Sequence, residues 1–361
     1  MPTQLLGLTR DELRTLAVAW GLPAYRGSQL YHAVYAERRF DFARITNLPR
    51  ALRERLQRDA VVAVPRIDKR FASTDGTVRY LLRLDDGKTV ETVWMPEDDR
   101  HTLCLSTQAG CAVMCRFCAT GLLGLMRNLS AAEIVGQVLL ALEDNRERLR
   151  PATNIVLMGQ GEPLLNYDAT LRAVRLMADT EGMNIPWRRI TLSTSGIIPG
   201  IRRLAAEPER PRLAISLNAT SEDERRRLMP VTRKYHLAEL MEVCRRYPLR
   251  SWEQLTFEYV LLGGENDSPQ DAARLISLLA GLRAKVNLIS WNPTPSLPFN
   301  APETEQVEKF QQALRSAGLL AFIRKPRGQD IYAACGQLAS LDAATAPPLS
   351  ISGAAGTPAP A

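Results

Sequence analysis

Apolar residues recur at helical spacing over the first part of the chain, as in Leu13, Leu16 and Ala17, until Gly21-Leu22-Pro23 interrupts the period. This pattern predicts a small helical accessory region over 1–58. Between Val61 and Val93 the apolar runs shorten, and Asp75-Gly76 and Asp85-Asp86-Gly87 cut them as turn signals between strands such as 78–84 and 89–94. Residues 59–99 therefore read as a small β extension. From Arg100 onward short apolar runs alternate with amphipathic segments, the rhythm of a parallel sheet with helices outside it. The expected strands are 102–107, 154–158, 190–194, 213–217, 255–262 and 286–291.

Six such units predict an α/β fold, a partial (β/α)6 barrel spanning 100–338. Two helix starts are marked by the sequence: Ser130 with Glu133 forms a capping box, and Ser268-Pro269 is a cap followed by a first-turn proline. The remainder, 339–361, is mostly Ala, Pro, Gly and Ser, too poor in large apolar residues to order itself, and is expected to be a disordered tail.

Composition narrows the function. With 45% hydrophobic residues over 361 positions, the chain can bury a large core. No apolar run reaches the roughly 20 residues of a membrane span and the first ten residues lack a secretion signal, so the expected location is the cytoplasm, with no membrane partner. A net charge of +7 is carried partly in clusters: Arg188-Arg189, Arg202-Arg203, Arg225 to Arg227, Arg245-Arg246, and Arg324, Lys325 and Arg327. Such clusters suit a polyanion, although arginines also solvate ordinary helix faces.

Six cysteines are too few for a disulfide scaffold in a chain this long, and three of them crowd together as Cys111-Ala-Val-Met-Cys115-Arg-Phe-Cys118. Thiolates on one short loop are natural ligands of an iron-sulfur cluster. Three protein ligands leave one iron of a 4Fe-4S cluster open, as a substrate-binding cluster requires. The competing reading is a tetrahedral zinc site in a non-enzymatic RNA-binding protein, for which the nearest histidine is His101, upstream of the triad.

The Cys-x3-Cys-x2-Cys spacing, with Phe117 before the last cysteine and an expected strand before the loop, resembles the radical S-adenosylmethionine (SAM) signature. Further segments extend the resemblance: Tyr25-Arg26, Gln29-Leu30, Met95-Pro96, Arg127-Asn128-Leu129-Ser130, Gly159 to Asn166, Val286 to Ile289 and Ala333 to Leu338. Together they are similar to the adenine-C2 RNA methyltransferases of the RlmN type, with the C8-methylating Cfr enzymes as close relatives.

That resemblance implies a 4Fe-4S cluster on Cys111, Cys115 and Cys118. It implies SAM held by Gly161 and Glu162, and by Ser193, Ser216, Leu217, Asn218 and Asn292 at strand ends. It also implies that Cys335 receives a methyl group from one SAM, that a radical made from a second SAM activates that methyl, and that Cys104 releases the adduct by forming a disulfide. Glu91 matches a family carboxylate assigned as proton acceptor. The implied partners are RNA (23S rRNA, and tRNA) and an external electron donor such as flavodoxin. Two positions depart from the family pattern: Gln160 where methionine is usual, and Asn218 where histidine is usual. Cys244 reads as a small buried hydrophobe. Methylation of C8 instead of C2, a different radical SAM reaction, and the zinc protein remain the alternatives at this point.

Overall fold

The computed structural model describes residues 2–294 and 297–339; the tail expected to be disordered lies, apart from Ala339, outside the described residues. Its strands are β1 (Thr3–Gln4), β2 (Ala60–Val61), β3 (Arg66–Ala72), β4 (Val78–Arg83), β5 (Thr89–Pro96), β6 (Arg100–Cys104), β7 (Gln108–Gly110), β8 (Leu125–Asn128), β9 (Ala152–Leu157), β10 (Ile190–Thr194), β11 (Arg212–Ser216), β12 (Leu255–Leu261), β13 (Ala284–Ser290) and β14 (Leu320–Ile323). Helices α1 (Arg10–Ala19), α2 (Tyr25–Tyr35) and α3 (Arg50–Asp59) precede the main sheet. Those that follow are α4 (Ala119–Leu122), α5 (Ala131–Asp144), α6 (Tyr167–Ala178), α7 (Ile198–Ala205), α8 (Glu222–Leu228), α9 (Leu237–Arg245), α10 (Pro269–Leu279) and α11 (Thr304–Ser316).

One ten-stranded sheet organises the molecule, in the order β14-β13-β12-β11-β10-β9-β6-β5-β4-β3. From β6 to β14 every pairing is parallel, while β3 to β6 pair antiparallel. All six expected parallel strands are present within a few residues. A seventh, β14, escaped the sequence reading because its four residues include three exposed ones and carry no clear alternation. The β extension is continuous with the barrel sheet, because Val93 of β5 pairs with Cys104 of β6.

Alternation divides the sheet into two faces. Leu255, Phe257, Tyr259 and Leu261 of β12 join the main apolar core, as do Leu213 and Ile215 of β11. The other face carries a polar row in which Ser216, Glu258 and Asn287 lie side by side in register. Capping boxes start α1 at Thr9, α5 at Ser130 and α10 at Ser268. The N-terminal helices are tied to the barrel through Tyr31, whose hydroxyl donates to Asp179 at 2.7 Å, and through Arg172, whose Nε donates to the Gly7 carbonyl at 2.8 Å.

Candidate active site

The three clustered cysteines occupy a loop held open by the β7–β8 hairpin. Gly110 has φ +75°, and a Cβ there would stand 1.9 Å from the Gly124 carbonyl oxygen, so only glycine closes the hairpin. Cys111 N–H donates to that carbonyl at 2.9 Å, and Cys118 N–H donates to the Cys115 carbonyl at 3.2 Å, folding the loop back on itself. All three thiols are free and half-buried. Burial pushes the Cys111 thiol up to about 12, and burial followed by the charges of Cys118 and Cys111 pushes Cys115 well above its usual value. Three thiolates this close are stable only with positive charge among them, which metal supplies.

The donor set suits a cluster better than one zinc ion. His101 is buried in β6 with both ring nitrogens engaged, by Arg150 N–H at 3.2 Å and the Thr153 hydroxyl at 2.9 Å. Burial and Arg150 pull its pKa down to about 4. It is not available to the loop.

Beyond β9 the chain turns through Gly159 to Glu162. Gly161 has φ +100°, and a Cβ there would come within 2.6 Å of the Gln108 side chain and 2.7 Å of its backbone nitrogen. The backbone therefore packs directly against the cysteine hairpin, where a side chain would have no room. Glu162 is buried, accepting from Ser195 N–H at 2.7 Å, the Ser195 hydroxyl at 2.8 Å and Leu164 N–H at 3.1 Å. Burial raises its pKa and these bonds oppose the rise. Its charge reaches both Cys111 and Cys115, so this carboxylate and the triad share one site.

Ser193 and Ser216 face each other from β10 and β11 with hydroxyls 3.4 Å apart. Leu217 differs: its side chain belongs to the main apolar core, so only its backbone can meet a ligand. Asn218, at φ +59°, accepts from Val260 N–H at 2.9 Å and is buried, its side chain committed within the protein. Asn292 donates to the Cys335 carbonyl at 3.3 Å and accepts from Gln329 at 2.8 Å, which joins the end of β13 to the last described segment.

That segment brings Cys335 over the site. Ala119 N–H, next to Cys118, donates to the Gly336 carbonyl at 2.7 Å, and the Thr120 hydroxyl donates to the Leu338 carbonyl. Cys104, buried at the end of β6, packs with Val93, Ile331, Ala333 and Leu338. Burial pushes the Cys104 thiol far up and Cys335 adds to the shift. Cys335 is exposed to solvent; burial around its sulfur first, then the Glu258 carboxylate, push its thiol up to about 11. Glu91 is fully buried on β5, paired with the equally buried Arg79 and accepting from Gln160 Nε2 at 3.2 Å. Gln160, one of the two departures, thus contacts Glu91.

Several participants had no readable signal. Gln108 accepts from Glu162 N–H at 2.9 Å, and Trp291 Nε1 donates to the Phe117 carbonyl at 2.9 Å. The arginine clusters are largely engaged within the protein. Arg225 is fully buried, and Arg202, Arg203, Arg226, Arg227, Arg246 and Arg327 are in ion pairs within the protein. Acidic residues, some one helical turn away and some distant along the chain, balance charges that looked free in sequence. Cys244 is buried on α9, as expected.

A parallel open barrel with a Cys-x3-Cys-x2-Cys loop beyond its first parallel strand defines a radical SAM enzyme. Residues 105–276 match the Radical SAM superfamily model, and residues 3–62 match the ribosomal RNA large subunit methyltransferase N-terminal domain. The "Probable dual-specificity RNA methyltransferase RlmN" of Koribacter versatilis is 53% identical over 88% of this chain and 96% of its own length; the "Dual-specificity RNA methyltransferase RlmN" of Rhodospirillum rubrum is 48% identical over 94% and 81%. A crystal structure of a radical SAM methyltransferase from Sphaerobacter thermophilus superposes with a TM-score of 0.91 at 47% identity, covering 94% of this chain and all of that one. The chain belongs to the RlmN family of radical SAM RNA methyltransferases. Its cofactors are accordingly a 4Fe-4S cluster and SAM.

Proposed function

We propose that this chain methylates carbon 2 of adenine in 23S rRNA and in tRNA through a methylated Cys335. Membership of the RlmN family supports the reaction, and the meeting of Cys104 with the Cys335 segment carries the assignment of the two thiols. When bound, the cluster and SAM supply a methyl group and a carbon-centred radical, which an adenine carbon without nucleophilic or acidic character needs.

Cys111, Cys115 and Cys118 hold the cluster. Gly161 and Glu162 bind the amino group of SAM, and Ser193, Ser216, the Leu217 backbone, Asn218 and Asn292 complete its site. Cys335 carries the methyl on sulfur, and its adduct with adenine is resolved when Cys104 forms a disulfide with it. Glu91 accepts the C2 proton. The pairing of Glu91 with Arg79 also supports a second role, holding a buried charge, which the experiments below separate from the first. An electron carrier such as flavodoxin reduces the enzyme, which works in the cytoplasm; no described helix is long and apolar enough to cross a membrane. The helical part over 1–58, the β extension over 59–99 and the barrel over 100–338 form the working divisions of the chain.

Anaerobic reactions with the reconstituted enzyme, followed by mass spectrometry of the nucleosides, test the regiochemistry. The expected product is 2-methyladenosine, and 8-methyladenosine alone would overturn the reading. A denaturing gel with labelled RNA tests the thiols: Cys104→Ala should accumulate a protein–RNA crosslink that Cys335→Ala prevents. A crosslink persisting in the double variant would remove Cys335 from its role.

A further inference from the structure

Helix α8 carries an arginine unlike its neighbours. Arg225 is fully buried, whereas Arg226 and Arg227 reach the surface and pair with acids there. Its Nε donates to the Leu217 carbonyl at 3.1 Å and its Nη1 to the Thr232 hydroxyl at 2.9 Å. Its Nη2 donates to the carbonyls of Ser195 at 2.6 Å and Ser216 at 3.3 Å. One guanidinium thereby clamps the carboxyl ends of β10 and β11, beside the proposed SAM residues Ser193 and Ser216.

None of those acceptors is charged, and among the described residues no carboxylate lies within ion-pair distance of Arg225. Glu222, on the same helix, is committed to His236 and to Leu237 N–H. A cation withdrawn from water without a counter-ion is costly, and structures retain one where an anion belongs beside it. Helix α8 also packs against the cysteine loop, whose sulfurs carry negative charge once they hold metal. Leu228, at the end of α8, accepts from Arg116 N–H in the cysteine loop at 2.9 Å, and Leu228 and Met229 pack against Cys115 and Cys118. Consistently, burial draws the guanidinium down to about 10, and the Cys115 sulfur is the foremost charge opposing that shift.

We propose that Arg225 is the built-in counter-charge of the thiolate-bound cluster, a positioning residue that favours the reduced, more negative state and holds the β10 and β11 ends against it. The proposal rests on the reading that Cys111, Cys115 and Cys118 bind the cluster. Reduction adds one electron from the external carrier, so a fixed positive charge beside the sulfurs raises the reduction potential, as charge and hydrogen bonding around iron-sulfur ligands do in general.

The test uses the full-length enzyme reconstituted anaerobically, with iron content, thermal unfolding and the midpoint potential from a titration followed by electron paramagnetic resonance. R225Q keeps amide donors but loses the charge, and its one-electron reduction equilibrium should fall at least tenfold, about 59 mV. R225K keeps the charge and loses most of the clamp, so its potential should stay within about threefold of wild type in the same equilibrium while its melting temperature drops. T232V loses one bond and should leave the potential unmoved. An iron-replete R225Q with the wild-type potential overturns the proposal. Should R225Q fail to fold, iron-replete R225M decides in the same titration: a reduction equilibrium at least tenfold lower supports the counter-charge, and the wild-type potential overturns it. Wild-type protein that takes up no iron would sink the cluster reading itself and this inference with it.

Discussion

Replacing Glu91 by glutamine is the perturbation that best separates chemistry from packing. Glu91 and Arg79 sit on neighbouring strands β5 and β4, at 0% and 1% side-chain exposure, joined by a direct ion pair. The Arg79 guanidinium also lies over the Phe71 ring, 4.3 Å from its centroid. Breaking a buried ion pair by removing one partner typically costs about 3–5 kcal/mol. A typical domain has about 5–15 kcal/mol to lose, so Glu91→Gln should fold but unfold at much lower urea. Removing both charges, in Arg79→Met with Glu91→Gln, should restore most of that stability, because an apolar replacement of a buried pair is often neutral or better. Methyladenosine formation should remain abolished in both proteins if Glu91 accepts the substrate proton. Urea denaturation and nucleoside mass spectrometry on the two single variants and the double variant give both readouts. Recovery of methylation in the double variant would refute the proton-accepting role and leave Glu91 a structural one. A loss below about 1 kcal/mol in the single variant would refute the buried-pair reasoning.

Three further outcomes are expected. Cys111→Ala, Cys115→Ala and Cys118→Ala should each lose the iron-sulfur absorbance and SAM cleavage, since each removes one of three protein ligands; iron content by colorimetric assay checks this. Gly161→Ala should cost about 1–3 kcal/mol from its left-handed backbone alone, with added overlap on Gln108, and should weaken SAM binding in equilibrium dialysis. His101 is held neutral, its folded pKa of about 4 lying below the unfolded value near 6.5. The unfolded chain therefore binds more protons between those values, so stability should fall as pH drops from about 6.5 toward 4. His101→Gln should flatten that part of a denaturation series across pH.

Local information in the chain reached far. The six barrel strands, the turns at Asp75-Gly76 and Asp85-Asp86-Gly87, and the caps at Ser130 and Ser268 are set by short-range preferences that a sequence displays directly. The triad was equally legible, because three ligands within one loop need no tertiary contact to be recognised. Tertiary structure decided what depends on partners distant along the chain. Exposed β14 joins the sheet only because β13 offers an edge. Arg225 and its two neighbours look alike in sequence, yet one is buried under strand ends while the others meet Asp223 and Glu265 at the surface. Cys104 and Cys335 become neighbours through the return of the last segment across the cysteine loop, anchored by Ala119, Thr120 and Asn292. Burial and long-range pairing are properties of the packed chain, and the desolvation they impose on Arg225, Glu162 and these thiols arises only when the fold removes water from around them.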